Sequence, residues 1–212
     1  AMDYNTVIRR SVRELADSGI VMVNYASGWR NRADVAVRRA VMTGVTQISA
    51  QYSEKSAELL DTPLREVSAH RGARDVDGPK GWENHKKWQG KVYAMGYHPR
   101  YPNIYDVCGL GDVTGLEGAN CRHMHFPFVE GVSERTYTDE QLEALDPPPF
   151  TYQGGEYTAS EATQKQRQRE TAIRAQKRRG LAFESAGAEQ DAQDAQTRLK
   201  RLESEYRAFS QA

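Results

Sequence analysis

The chain has 212 residues, of which 38% are hydrophobic, and its 29 basic and 29 acidic side chains give a formal net charge of zero. This length allows one or two domains with a substantial core. The composition excludes a strongly basic or acidic protein and a disulfide framework, since there are only two cysteines, and no apolar run approaches the ~18–20 residues of a membrane-spanning helix.

The first third of the chain predicts two helices and a strand. Residues 3–17 are typical of a short helix that ends near Gly19. The apolar, β-branched run 20–25 predicts a buried strand. Apolar residues then recur mostly every three or four positions, which predicts a long amphipathic helix over about 31–60 with one apolar face. That face comprises Val37, Val41, Val45, Ile48, Tyr52 and Leu59.

The middle third is rich in glycine and poor in regular patterns. Short strands are predicted at 65–70 and 91–95, on either side of a glycine-rich stretch. Loops dominate from 96 to 131. A loop this long inside a globular domain is usually functional or held by specific contacts.

Two capping boxes predict helix starts in the last third, at Thr138–Gln141 and at Thr158–Glu161. The first helix ends before the proline run 147–149. The second spans 159–178, ends at Gly180, and carries mostly basic charges. These charges predict contacts with the phosphates of DNA or RNA through 159–179, with a solvated charged face as the alternative.

The segment 188–209 has apolar residues at alternating steps of four and three, as in a coiled coil. It predicts either a helical hairpin or a helix for self-association. We therefore expect an α+β core over 1–146, a Pro/Gly linker over 147–157 and a helical tail over 158–212. In the core, the long helix packs on a small, mostly antiparallel sheet, beside a loop-rich His/Cys region.

All five histidines and both cysteines lie between His70 and His125, which suggests a site. If the site is catalytic, imidazoles transfer protons and an arginine stabilises developing negative charge. Such a site would belong to a metal-independent nuclease or to an enzyme that handles ADP-ribose. Its residues are His70, Arg74, His85, Arg122 and His123.

A metal site is the second interpretation of the same window. Cys121, His123 and Cys108, together with His70 or His85, are residue types that bind zinc. Their spacing matches no standard zinc motif. We therefore expect no cofactor, with zinc as the alternative. The third interpretation is a hydrogen-bonded structural cluster that holds the loop shut without catalysis.

Three motifs, VSAHRGAR, HKKWQGKVY and NCRH, resemble the phage minor capsid protein 2 family, which is related to Mu F-like head morphogenesis proteins. The resemblance covers about residues 5–212 and corresponds to the C-terminal half of such proteins. The family's shared polar positions fall on His70, Arg74, His85, Trp88, Gly90, Cys121, Arg122 and His123. This chain departs from the pattern by the insertion DVDGPKGWEN and by His123, where Mu F-like relatives often have cysteine.

The resemblance implies a portal-proximal head protein of the virion that binds the portal or other capsid proteins and assembles in the host cytoplasm. It implies a structural role for the His/Cys/Arg cluster. Some members of the family are fused to toxin domains, so an enzymatic function is the alternative.

Overall fold

The computed structural model describes residues 3–212. Their architecture is α+β, as predicted. The chain divides into two compact units. The first unit contains residues 3–70 and 74–142. The second contains Arg71–Ala73 and Glu143–Ala212. In the described part of the chain, no helix combines the length and apolarity needed to cross a membrane.

The first unit begins with helix α1 (Tyr4–Asp17), where the Asp3 carboxylate accepts hydrogen bonds from the backbone of Asn5 and Thr6. Strand β1 (Met22–Asn24) follows and pairs antiparallel with β2 (Arg30–Arg32). The prediction of a buried strand is wrong in its burial, since Ile20 and Val21 are 46% and 57% exposed. A two-stranded ribbon is too small to cover an apolar face.

Helix α2 (Ala33–Leu59) packs on a three-stranded antiparallel sheet, which confirms the predicted arrangement. The sheet has the order β4-β3-β5, with β3 (Leu64–Val67) between β4 (Val92–Ala94) and β5 (His125–Phe128). Leu64 lies opposite both Ala94 and Phe128. The Ser53 hydroxyl of α2 donates a 2.7 Å hydrogen bond to the carbonyl of His125 and so ties the helix to β5.

Small side chains, rather than the predicted apolar face, form the buried side of α2. Its buried residues are Ala33, Ala36, Ser53 and Ala57. Ile48, Tyr52 and Leu59, from the predicted apolar face, are 68%, 78% and 80% exposed. The long helix therefore presents an apolar surface to solvent.

The central strand β3 is buried along its whole length although it carries two charges. Arg65 bonds to Glu54 of α2, and the Glu66 carboxylate accepts a hydrogen bond from the backbone of Thr136. Two apolar clusters form the core around this strand. One contains Val67, Trp88, Tyr93, Ile104, Cys108, Leu116 and Cys121, and the other contains Leu64, Val92, Ala94 and Phe128.

The glycine-rich region contains a 3-10 turn at His85–Lys87 and the short helix α3 (Ile104–Cys108). It ends before β5. The short helix α4 (Asp139–Glu143) follows, and Thr138 and Gln141 exchange the two hydrogen bonds of the predicted capping box.

The second unit contains a β-hairpin and a helical hairpin. Strands β6 (Phe150–Tyr152) and β7 (Gly155–Tyr157) pair antiparallel within the stretch predicted as a linker. Helices α5 (Ala159–Ser185) and α6 (Glu189–Ser210) pack on each other, which confirms the helical hairpin. The capping box at Thr158 is also confirmed.

The predicted end of α5 at Gly180 is wrong, because the helix continues to Ser185. Gly180 is buried in the hairpin, where a methyl group would lie 3.9 Å from Ala195 Cβ. Gly180 is therefore an interior residue of α5 that packs against α6, and it does not end the helix.

Candidate functional site: a buried histidine and cysteine cluster

Four of the predicted site residues, His70, His85, Cys121 and His123, come together in the first unit and are called the His/Cys cluster below. One ligand atom from each of His85, Cys121 and His123 lies within 4.8 Å of the others. The His70 ring stacks on the His123 ring, with 4.2 Å between the ring centroids. Residues more than fifty positions apart in the chain therefore share one site.

The cluster lies against the larger apolar cluster of the core. His85 begins the 3-10 turn, and Trp88 at the end of that turn lies against the rings of both His85 and His123. The Trp88 indole N–H donates to the carbonyl of Trp82, which fixes the orientation of the ring. Trp88 is thus a core residue that forms one wall of the cluster.

Two acceptors fix the tautomers of the buried imidazoles. His123 Nε2 lies 3.0 Å from Gln89 Oε1, which also accepts the backbone N–H of His70. His85 Nε2 lies 3.0 Å from the carbonyl oxygen of Thr114. Since a carbonyl oxygen only accepts, each ring carries its proton on Nε2 and keeps the lone pair on Nδ1.

Burial keeps His85, His123 and Cys121 uncharged at neutral pH. It lowers the pKa of His85 to about 4, although the hydrogen bond to Thr114 opposes this shift. Burial also lowers the pKa of His123, and neighbouring positive charges act in the same direction. The pKa of the Cys121 thiol is raised, again because burial disfavours the charged form.

Both predicted arginines border the cluster. Arg74 donates a 3.1 Å hydrogen bond to the Thr114 carbonyl, the same oxygen that accepts from His85. Arg122 is exposed, and its Nη2 lies 3.3 Å from His70 Nδ1.

Cys108 has a different environment from the one that the metal interpretation gave it. Its side chain is fully buried in the larger apolar cluster beside Tyr93 and Cys121. Among residues 3–212, the group with three donor atoms in metal-binding range contains His85, Cys121 and His123, and Cys108 does not belong to it.

The sequence did not predict a second buried polar group. His125 Nε2 lies 2.7 Å from Glu54 Oε1, and its Nδ1 lies 2.8 Å from Glu117 Oε1. Arg65 completes the group, with Nη2 2.7 Å from the other Glu54 oxygen. Burial alone lowers the pKa of His125, but the two carboxylates raise it by more.

His125 therefore connects β5 to α2 and does not join the His/Cys cluster. The charged pair Arg65–Glu66 in an otherwise apolar strand was the available signal, because buried charges require partners. Glu117 gave no comparable signal. Gln89 lies within the motif HKKWQGKVY but is not one of the polar positions shared with the family.

Comparison with known proteins gives one family and two curated relatives. The family described as phage minor capsid protein 2 matches residues 1–211. A structural protein of Lactococcus phage mv4 is 38% identical over 93 residues, which cover 43% of this chain and 64% of that protein. A structural protein of Lactococcus phage LL-H is 36% identical over 83 residues, covering 35% of this chain and 20% of that protein. The comparison with solved structures finds no match.

Proposed function

Because this chain belongs to the phage minor capsid protein 2 family, we propose that it is a portal-proximal module of the phage head. It is a component of the virion and enters the particle during assembly in the host cytoplasm. The observation that carries this proposal is the family match over residues 1–211, nearly the whole chain. The two relatives, both named structural proteins of phages, support it.

The exposed apolar face of α2 supports a role in protein association. Val45, Ile48, Tyr52 and Leu59 are all exposed along this helix. A contiguous apolar surface is typical of a protein–protein contact. We infer that the portal or a neighbouring capsid protein covers this face in the particle.

The His/Cys cluster acts in this proposal as a structural element. His85 and His123 are 2% and 0% exposed, and burial holds both imidazoles in the neutral form. Acid–base catalysis by this pair needs a protonated imidazole and access for a substrate. The burial of both rings disfavours an enzyme and supports a cluster that closes the glycine-rich loop.

The helical hairpin is proposed to provide the remaining contacts. Several bases of α5 pair with acids in the same hairpin, including Arg169 with Glu205 and Lys177 with Glu203. Arg178 and Arg179 are exposed and are the α5 residues that we propose to contact DNA or RNA. Three residues of the predicted seam are buried, namely Ala192, Ala195 and Phe209. Their burial favours packing within the hairpin over self-association through 188–209.

The proposal is tested by the protein composition of purified phage particles. Phages carrying the unaltered gene, the double variant Ile48→Asp/Tyr52→Asp, or the control Gln47→Asp/Gln51→Asp are purified and analysed by mass spectrometry. The control alters two exposed positions of the same helix outside the apolar face. We expect the unaltered and control chains in the head and the apolar-face variant at less than about a tenth of that amount.

Absence of the unaltered chain from the particle contradicts the proposed function. Equal incorporation of the two double variants contradicts the assignment of α2 as the contact surface.

A further inference from the structure

We propose that the His/Cys cluster binds one zinc ion through His85, Cys121 and His123. This inference deepens the structural role given to the cluster above and rests on that proposed function. The donor atoms of these three residues are two imidazole nitrogens and one thiolate sulfur, a set that zinc prefers in proteins. All three side chains are buried in the same unit.

The separation between two of the donors, Cys121 and His123, matches a shared zinc ion. Cys121 Sγ lies 3.6 Å from His123 Nδ1. With Zn–S of about 2.3 Å and Zn–N of about 2.0–2.1 Å, a tetrahedral angle places sulfur and nitrogen about 3.6 Å apart. The group as a whole spans 4.8 Å, so His85 has to move inward by roughly 1 Å to bind the same ion.

The partners of the two imidazoles match the outer shell of a zinc site. Metal-binding histidines almost always donate their other ring N–H to a carbonyl or a carboxylate, which orients the ring. Gln89 Oε1 takes that position at His123 and the Thr114 carbonyl takes it at His85. These hydrogen bonds leave the Nδ1 atom of each ring unprotonated, so zinc binding through Nδ1 needs no change of tautomer.

Zinc would connect two distant parts of the glycine-rich region. His85 lies in the 3-10 turn, whereas Cys121 and His123 precede β5. The stretch between them contains α3 and little other regular structure. An ion held at both ends of this stretch stabilises the folded unit, because the binding site does not exist in the unfolded chain. Three protein ligands leave one tetrahedral position for a small ligand such as water.

The test measures metal on the purified full chain under reducing conditions, using Zn²⁺ and Co²⁺ as probes. Cys121→Ala is compared with Cys108→Ala, which removes the other buried cysteine but leaves the three donors intact. We expect about one zinc per chain in the unaltered protein and in Cys108→Ala. Cys121→Ala should lose at least about tenfold in zinc affinity, since changes even outside the ligand shell cost about 10- to 100-fold.

Cobalt gives a readout that a merely structural cysteine would not change. The Co²⁺ form of the unaltered chain should show thiolate-to-cobalt charge-transfer absorption, which Cys108→Ala retains and Cys121→Ala lacks. Gln89→Leu should keep the absorption but weaken metal affinity by about 10- to 100-fold.

The unaltered chain decides the question even if a variant fails to fold. If it does not bind about one Zn²⁺ or Co²⁺ per chain, or if Co²⁺ binds without thiolate absorption, the proposal is overturned. The cluster is then held by hydrogen bonds alone, with the Cys121 thiol donating to His123 Nδ1. Because this measurement needs no phage particle, its failure is distinguishable from failure of the virion role.

Discussion

At Gly115 the glycine-rich loop approaches its own backbone too closely to leave room for a β-carbon. A Cβ at this position would collide with the carbonyl oxygens of Gly109 and Cys108. The backbone of Leu116 donates to the same Cys108 carbonyl at 2.8 Å. The loop is therefore held by main-chain contacts that position Thr114, the partner of His85.

Gly115→Ala should destabilise the protein by about 1–3 kcal/mol, because neither carbonyl can move without disturbing the loop. The free energy of unfolding is measured by denaturant titration. Gly96→Ala is the matched control, since a Cβ at Gly96 meets no atom within 4 Å, and it should change stability by less than about 0.5 kcal/mol. Equal stability of the two variants would show that the loop tolerates the added atom.

The chemistry of single residues was predictable where the side chain itself carries it. His85, Cys121 and His123 are of types that invite a shared site, and the structure brings them together. Thr114 was not predictable, because it contributes a backbone carbonyl that any residue could supply. Gln89 is recognisable only once the fold places its amide between His70 and His123.

Among the secondary-structure elements, helix starts with local signals were predicted well. The capping boxes at Thr138 and Thr158 form as expected, since their hydrogen bonds involve only residues three positions apart. The predicted end of α5 was wrong because Gly180 lies inside the helix and packs against α6, and local sequence does not reveal this contact. The exposure of the α2 apolar face was not predicted either, because local sequence does not show which face of a helix another element covers.

In the second unit, one aromatic side chain joins the β-hairpin to α6. Phe209 is 2% exposed and contacts the rings of Phe150, Tyr152 and Tyr157 at centroid distances between 5.2 and 5.7 Å. The Arg169 guanidinium lies 5.1 Å from its centroid on another side. Phe209 is therefore the centre of the apolar packing in this unit.

Phe209→Ala should lower the free energy of unfolding of the second unit by about 3–5 kcal/mol, as for other buried phenylalanines. Leu181→Ala, at a position that is 63% exposed on α5, serves as the control and should cost less than about 0.5 kcal/mol. Circular dichroism during thermal unfolding measures both. A Phe209 variant as stable as the control would mean that the β-hairpin adds little to the stability of the helices.

For the whole molecule, we propose that residues 1–146 fold without the helical tail. Both apolar clusters of the first unit consist of residues between Leu64 and Phe128, so truncation leaves them complete. A chain ending at residue 146 should keep a cooperative thermal transition, measured by calorimetry beside the full chain. Loss of that transition would place the boundary elsewhere and make the tail part of one folding unit.

The overall architecture was predictable because the long helix, the short strands and the helical hairpin each follow from local patterns. Residues 147–157 were expected to be a linker, and they contain the β6–β7 ribbon. The proline run was a real break in the helical pattern, but the sequence could not show that aromatic residues beyond it would pair with α6.

We propose that the His/Cys cluster stabilises a phage head module rather than catalysing a reaction. Thermal stability and RNA or DNA cleavage, measured side by side on the unaltered chain and on His85→Ala, test this claim most directly. We predict no cleavage by either protein and a loss of about 1–3 kcal/mol in the variant, because the hydrogen bond to Thr114 and the ring contacts with Trp88 and His123 are lost. Robust cleavage by the unaltered chain, abolished in a variant of unchanged stability, would contradict the account.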